Sequence, residues 1–126
     1  MTVAVVDASV IVAWALKEPG GDITERLGGC LLSAVNAAEV VARLNREGFS
    51  TEEIREGWDE VGVVLTDFDR ELAVATGELQ VATRRQGLSL GDRACLALAK
   101  REGLPVLTAD RAWADVDVGV KIELIR

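Results

Sequence analysis

Four acidic residues stand where a metal-dependent hydrolytic site can be assembled. Asp7 and Asp110 each follow a short apolar run that is typical of a buried strand. Asp92 lies in the first turn of a predicted helix, and Glu39 lies within the largely apolar stretch of residues 34–42. If the strands before Asp7 and Asp110 are neighbours in a parallel sheet, their carboxyl ends open onto one edge, where ligands bind in such folds. The spacing therefore predicts that these carboxylates converge.

Carboxylates that converge without basic partners repel one another, so they need a divalent cation or a proton. The chain contains no His, which disfavours Zn²⁺ and leaves an oxygen-only ligand set that selects Mg²⁺ or Mn²⁺. The helix that carries Glu39 is expected to be buried over most of its surface, and a buried carboxylate without a partner is costly. We therefore expect the four acids to be both metal ligands and catalytic residues.

Each of these acids also has an ordinary structural explanation. Asp7 is placed to cap the helix that follows it, and Asp92 stands three residues after a serine, as in a capping box. Asp110 fits a turn, and Glu39 is spaced to pair with Arg43 on one helix face. Each role taken alone favours structure, so the functional interpretation depends on the convergence of all four at one sheet edge.

Two hydroxyls and two arginines adjoin the acids in sequence. Ser9 and Thr108 are predicted to hold carboxylates or metal-bound water in place, although both side chains also suit local backbone hydrogen bonds. Arg93 and Arg111 directly follow proposed ligands, where they are candidates for contacts to RNA phosphates. These four side chains complete the predicted site.

The elements that must position these residues alternate between short apolar strands and helices. This order predicts an α/β domain of three layers, α/β/α, with a mostly parallel central sheet of four to five short strands. Residues 1–126 fit one compact domain. The predicted strands are residues 3–6, 30–32, 63–65, 104–108 and 120–125. The predicted helices are residues 9–17, 23–27, 34–47, 51–62 and 90–103, together with a long helix that is capped by either Asp67 or Asp69 and runs to residue 85, and a helical turn at 111–114.

The composition bounds the setting of the protein. Lys and Arg number 14 against 21 Asp and Glu, a net charge of -7 that argues against nonspecific binding to nucleic acid. Cys30 and Cys95 lie in apolar runs and are interpreted as reduced, buried thiols, with a disulfide left open. The N-terminal residues lack the basic start of a secretion signal, and no stretch has the length of a membrane span. We expect a cytoplasmic protein with no membrane contact.

Four segments, in this order, resemble a PIN domain and, more narrowly, the VapC toxins of type II toxin–antitoxin systems. The segments are Val-Val-Asp-Ala-Ser at residues 5–9, Asn-Ala-Ala-Glu at 36–39, Leu-Ser-Leu-Gly-Asp-Arg at 88–93 and Val-Leu-Thr-Ala-Asp-Arg-Ala-Trp at 106–113. The likeness spans essentially the whole chain, and the third segment is its most specific part. By this resemblance, Asp7, Glu39, Asp92 and Asp110 match the acidic metal-binding positions of the family, and Ser9 matches its small polar residue near the metal.

The resemblance implies a Mg²⁺- or Mn²⁺-dependent endoribonuclease that acts as a toxin and cleaves RNA, often tRNA or rRNA, by metal-activated water. It also implies a homodimer and a VapB-like antitoxin as the neutralising partner. Attack by water leaves a 5′-phosphate and a 3′-hydroxyl. Either Asp110 or Glu39 is a candidate for the general base, and both one and two metals fit the sequence.

Four other classes of protein share features with this sequence. A haloacid-dehalogenase-like phosphatase requires Asp-x-Asp after the first strand, where this chain has Asp7-Ala8-Ser9. A response-regulator receiver requires paired acids before its acceptor Asp and a late Lys, and neither is present. A DNA or flap nuclease belongs to the same broad superfamily but is usually larger. A catalytically silent PIN-like module that binds RNA or protein is the non-enzymatic alternative, and it would tolerate the loss of any one carboxylate.

Overall fold

The computed structural model describes residues 3–126 of the chain, so the predicted domain start at residue 1 lies outside the described residues. Within this range five strands form one all-parallel sheet in the order β3-β2-β1-β4-β5, which confirms the predicted α/β class. The strands are β1 (Val5–Val6), β2 (Leu31–Ser33), β3 (Val64–Thr66), β4 (Val106–Thr108) and β5 (Ile122–Leu124).

The helices lie close to where the sequence predicts them. Serines cap α3, α4 and α6, and each side chain accepts a hydrogen bond from a backbone N–H of the first turn. Asp69 does the same for α5, which ends at Ala82, before the predicted end, and a 3₁₀ turn follows it. The helices are α1 (Ala8–Ala15), α2 (Thr24–Leu27), α3 (Ala34–Arg46), α4 (Thr51–Val61), α5 (Arg70–Ala82) and α6 (Leu90–Glu102), with 3₁₀ turns at Arg84–Gln86 and Arg111–Asp115.

Alternate residues of the strands point to opposite faces of the sheet, and each face packs against its own helices. Val6 and Leu107 belong to a core shared with α1, α3 and α4, whereas Val5 and Val106 belong to a core shared with α5, α6 and the buried Trp113. Cys30 and Cys95 are buried and free, one in each core. The predicted three layers follow from this alternation.

The edge strand β3 departs from the sequence-based expectation. The absence of polar positions predicts strands that are covered on both faces, but Val64 is 48% and Leu65 is 45% exposed. This expectation is wrong for β3 because an apolar edge strand has one neighbouring strand, β2, and lies at the limit of the helical layers. Among the described residues, no helix combines the length and apolarity that crossing a bilayer requires.

Candidate active site

A cavity of about 520 Å³ opens at the carboxyl edge of the sheet, and all four predicted acids line it. Asp7 follows β1 and Asp110 follows β4, and these two strands are paired neighbours in the sheet. Glu39 reaches the cavity from α3, and Asp92 reaches it from the first turn of α6. The expected convergence of the acids at one sheet edge is therefore present.

Asp7 is the anchored member of the cluster. Its side chain is only 4% exposed, and its Oδ2 accepts hydrogen bonds from Ser9 Oγ at 2.6 Å and Thr108 Oγ1 at 3.0 Å. Ser9 Oγ in turn accepts from the backbone N–H of Ala109, and Thr108 Oγ1 accepts from that of Asp110. Within the described part of the chain Asp7 makes no capping hydrogen bond to α1. Its ordinary explanation as a helix cap therefore fails, whereas the two hydroxyls hold its carboxylate as predicted.

The electrostatics of Asp7 reflect this placement. Burial raises the pKa of Asp7 from 3.8 to about 6, the hydrogen bond from Ser9 opposes that rise, and the nearby charge of Asp92 adds to it. The hydrogen bond from Thr108 lowers this pKa, and the charge of Glu39 raises it. Burial also raises the pKa of the Cys95 thiol well above its usual value, with further contributions from the Asp7, Asp92 and Glu39 charges. The three acids therefore share one poorly compensated region of negative charge.

Asp92 and Asp110 combine a place in the cavity with the caps that the sequence predicts. Asp92 Oδ2 accepts from the backbone N–H of Ser89 at 3.0 Å and completes a capping box on α6. Asp110 Oδ1 accepts from the backbone N–H of Ala112 at 2.9 Å at the start of the last 3₁₀ turn. Each of these bonds uses one carboxylate oxygen and orients the group as a whole.

Glu39 is placed differently from the sequence-based expectation. The prediction of a buried Glu39 is wrong, because α3 exposes a strip that includes Ala38, Glu39 and Ala42. Alanine occupies exposed helix positions without penalty, so an alanine-rich stretch overstates burial. Glu39 Oε1 accepts from Asn36 Nδ2 at 2.8 Å, and the pair with Arg43 does not form, since Arg43 contacts Glu47 at 3.4 Å instead.

The cations of the cavity are not the arginines that the sequence suggests. Arg93 donates from Nη1 to the backbone oxygen of Thr76 on α5, and neither Arg93 nor Arg111 lines the cavity. The basic residues that line it are Arg43, Arg46 and Arg126. The spacing from Glu39 was the available signal for the first two, because residues four and seven positions further along a helix share a face.

The residues of the cavity fit a divalent cation. Among residues 3–126, no three Asp, Glu, Cys or His side chains stand close enough together to hold a metal as they are placed. Mg²⁺ does not require such a cage, because it keeps several waters and takes one or two carboxylates directly. Four carboxylates line one cavity, and the charges of Asp92 and Glu39 add to the rise in the pKa of Asp7 that burial causes, so a cation would stabilise the ionised carboxylates there. Asp7, Glu39, Asp92 and Asp110 are the residues that would hold it.

Comparison with known proteins places this fold in a family. The family model described as PIN domain matches residues 4–119, which is most of the chain. The chain therefore belongs to the PIN-domain family, as the four motifs predict. No curated protein matches the chain.

The solved structures with a similar fold include toxin and toxin–antitoxin structures from three bacteria. A chain of a toxin–antitoxin complex from Klebsiella pneumoniae superposes with a TM-score of 0.74 at 15% identity, covering 98% of both chains. A chain of the DNA-bound VapBC complex from Salmonella typhimurium gives 0.68 at 21% identity over 100% of both chains. The sarcin–ricin-loop-cleaving toxin VapC20 of Mycobacterium tuberculosis gives 0.69 at 16% identity, covering 94% of this chain and 98% of its own. At these identities the likeness establishes the fold.

The raised pKa of Asp7 predicts a pH-dependent effect of Asp7→Asn on stability. Below pH 3.8 the carboxyl is protonated in both the folded and the unfolded chain, so it does not affect the free energy of unfolding. As the pH rises from 3.8 to about 6, the carboxyl ionises in the unfolded chain before it ionises in the folded chain, which lowers the free energy of unfolding of the wild type. The shift of roughly two pKa units corresponds to about 3 kcal/mol. In metal-free buffer the variant should therefore unfold at higher urea concentration than the wild type near neutral pH.

Urea unfolding at a series of pH values measures this difference. It should vanish at pH values below the unfolded-state pKa of 3.8 and reach its plateau above about 6. Equal stabilities of the two proteins at neutral pH would contradict the assignment of Asp7 as a carboxyl with a raised pKa. Asp59→Asn on α4 removes an exposed acid outside the cavity and is the matched control for the change in net charge.

Proposed function

We propose that the protein is a Mg²⁺- or Mn²⁺-dependent endoribonuclease, the toxin of a toxin–antitoxin pair. The observation that carries the proposal is the set of four carboxylates lining one cavity at the carboxyl edge of the sheet in a PIN-family chain. Residues 1–126 would form the whole catalytic domain. A water molecule would attack the phosphodiester and leave a 5′-phosphate and a 3′-hydroxyl, so the 2′-hydroxyl takes no part.

A divalent cation bound at this site would lower the pKa of water and neutralise charge on the scissile phosphate. The carboxylates of the cavity would have two roles, because one is held in place by hydrogen bonds and others are accessible to solvent. Asp7 is a fixed anchor, since Ser9 and Thr108 hold its Oδ2. Glu39 and Asp110 are exposed, so either can accept a proton at a carboxylate oxygen and release it to solvent. Both therefore stay candidates for the general base.

The arginines of the cavity provide a local basic surface for RNA, although the net charge of the chain is -7. Arg43 and Arg46 continue the face of α3 that carries Glu39, so they form a basic rim beside the acidic centre. We propose that this rim contacts RNA phosphates and sets the register of the substrate. Binding of RNA would then depend on a few arginines together with the cation, and it would weaken with salt.

Arg46→Gln is expected to raise the KM for RNA about three- to tenfold and to reduce the salt dependence of binding by about one counterion. The kcat should change little, because Arg46 is exposed and contacts the substrate away from the reacting atoms. Steady-state kinetics at several salt concentrations measure both quantities. Arg70→Gln on α5 is the matched control, since Arg70 is exposed and does not line the cavity. Equal salt slopes for the Arg46 variant and the wild type would remove Arg46 from the RNA contact surface.

Mapping of RNA ends tests the activity itself. Cells that express the wild type should accumulate new 5′-phosphate ends at defined sites in tRNA or rRNA, whereas cells that express Asp92→Ala should not. Asp69→Ala is the matched control, because Asp69 also caps a helix but does not line the cavity, so the variant loses a helix cap without losing a candidate ligand. Identical RNA ends from the wild type and the Asp92 variant would contradict the proposal.

We further propose three properties that the solved relatives suggest. A VapB-like antitoxin would be the neutralising partner, the toxin would form a homodimer, and both would be cytoplasmic. The similar solved structures include a toxin–antitoxin complex and a VapBC complex bound to DNA. If a small DNA-binding protein is encoded beside this chain, its co-expression with the chain, followed by mass measurement of the purified assembly, tests the first two properties. A monomer that ignores this neighbour would refute them.

A further inference from the structure

Asn36 is a buried polar residue next to the candidate active site that the mechanism above does not use. Its side chain is fully buried within α3, one helical turn before Glu39. Its Nδ2 donates two hydrogen bonds, one to Glu39 Oε1 at 2.8 Å and one to the backbone oxygen of Gly91 at 3.0 Å. Because Gly91 immediately precedes Asp92, this single amide group joins the segments that carry two of the four carboxylates.

A buried asparagine at position 36 lowers the stability of the fold, so packing of the hydrophobic core does not explain why this residue is present. Within the described residues its Oδ1 has no hydrogen-bond partner, and an unsatisfied buried oxygen costs about 1–3 kcal/mol. Asparagine is also a weaker helix former than leucine, by a few tenths of a kcal/mol. A leucine of similar size would suit a buried helix position better on both counts. The amide is therefore explained by what its N–H groups hold.

The contact between Glu39 and Gly91 is close enough to depend on the absence of a side chain. A Cβ at Gly91 would overlap all three atoms of the Glu39 carboxylate group. The carboxylate thus lies directly on the backbone of α6, beside Asp92, and Asn36 holds it there. Without this hydrogen bond the exposed Glu39 is free to move into solvent, away from the negative charge of Asp92.

We propose that Asn36 is a positioning residue that fixes Glu39 beside Asp92 so that the two carboxylates hold one divalent cation together. This inference rests on the proposed metal-dependent function, and because it assigns Glu39 to the cation it leaves Asp110 as the candidate for the general base. The hydrogen bond fixes the Glu39 side chain before the cation binds. The loss of side-chain conformational entropy therefore does not weaken binding of the cation. Hydrogen-bonded partners of metal-binding carboxylates typically contribute about 10- to 100-fold to metal affinity or activity.

The experiment measures Mg²⁺ affinity by calorimetry and RNA cleavage as a function of Mg²⁺ for Asn36→Leu in the full-length protein. We expect Mg²⁺ binding about tenfold weaker or more, an unfolding free energy equal to or above that of the wild type, and a kcat that recovers at high Mg²⁺. Asn36→Ala is measured beside it, because alanine removes the amide without demanding space. Thr83→Val is the matched control: it removes a buried hydrogen bond from Thr83 Oγ1 to a helix carbonyl, at a residue that does not line the cavity, and should leave Mg²⁺ affinity unchanged.

A double-mutant cycle with Glu39→Gln separates positioning from general stability. If Asn36 acts through Glu39, Asn36→Leu should weaken Mg²⁺ binding no further in the Glu39→Gln background. Wild-type Mg²⁺ affinity in both Asn36 variants would overturn the inference and leave the proposed function standing, as would equal losses in both backgrounds. A wild-type protein that neither binds Mg²⁺ nor cleaves RNA with it would overturn both proposals.

Discussion

Asp7→Asn should reduce Mg²⁺-dependent RNA cleavage about 1,000-fold or more while the protein stays folded. The carboxylate is the buried anchor of the acidic cluster, and Ser9 and Thr108 hold it in place. An amide in its place keeps the shape but removes the charge that attracts the cation. The charge stabilisation that a metal supplies in such reactions is worth several kcal/mol, and each 1.36 kcal/mol corresponds to tenfold in rate.

Two measurements on the same variant distinguish a loss of activity from a loss of folding. Cleavage of RNA is followed with and without Mg²⁺, and urea unfolding is followed in metal-free buffer, where the variant should be the more stable protein near neutral pH. Adding Mg²⁺ should stabilise the wild type and leave the variant unchanged, because a ligand stabilises only the state that binds it. A variant that still cleaves RNA with Mg²⁺ at the wild-type rate would leave the catalytically silent PIN-like module as the better description.

Gly91→Ala is expected to lower activity about 10- to 100-fold, because it displaces a carboxylate that would hold the cation. The added Cβ would overlap the Glu39 carboxylate group, which is the far end of a flexible side chain and can move aside. Alanine also favours the helix over glycine by about 1 kcal/mol. Stability and activity should therefore separate, with an unfolding free energy close to the wild-type value and a large loss of Mg²⁺-dependent cleavage.

Gly77→Ala is the matched control for this substitution. Gly77 lies inside α5, is exposed, and has nothing within 4 Å of the position that a Cβ would occupy. It should gain about 1 kcal/mol of stability with unchanged cleavage, since the same change in helix propensity occurs without a displaced neighbour. Equal activity in the two glycine variants would show that the position of Glu39 against α6 does not matter for the reaction.

The places of Asp7, Asp92 and Asp110 at the ends of their strands and helix were predictable because those places depend on local features. Asp7 and Asp110 follow short apolar strands, and the carboxyl ends of parallel strands open onto one edge. The capping box at Ser89 and Asp92 is a pattern of four consecutive residues. Helix starts were predicted well for the same reason, because a cap depends on the backbone of its own first turn.

The sequence predicts correctly that Glu39 lies beside the other acids at the sheet edge, but the prediction that it is buried is wrong. The apolar neighbours of Glu39 in the sequence predict a buried charge, yet the residue is exposed and its place in the cavity comes from its contacts with Asn36 and Gly91. The apolar pattern of α3 does not distinguish alanines in the core from alanines at the surface. The sequence also does not determine where the side chains of Arg93 and Arg111 point, because a long side chain next to a proposed ligand in sequence can extend in several directions.

The sequence by itself determined the order of strands and helices, their caps, and the acids at the strand ends, because each depends on a few neighbouring residues. The tertiary structure alone decided which side chains meet across elements. It brings α3 against α6, so that Asn36 joins Glu39 to Gly91, and it turns Arg93 towards α5 while Arg43 lines the cavity. These contacts depend on how the helices rotate and pack on the sheet, and packing is set by the whole core at once.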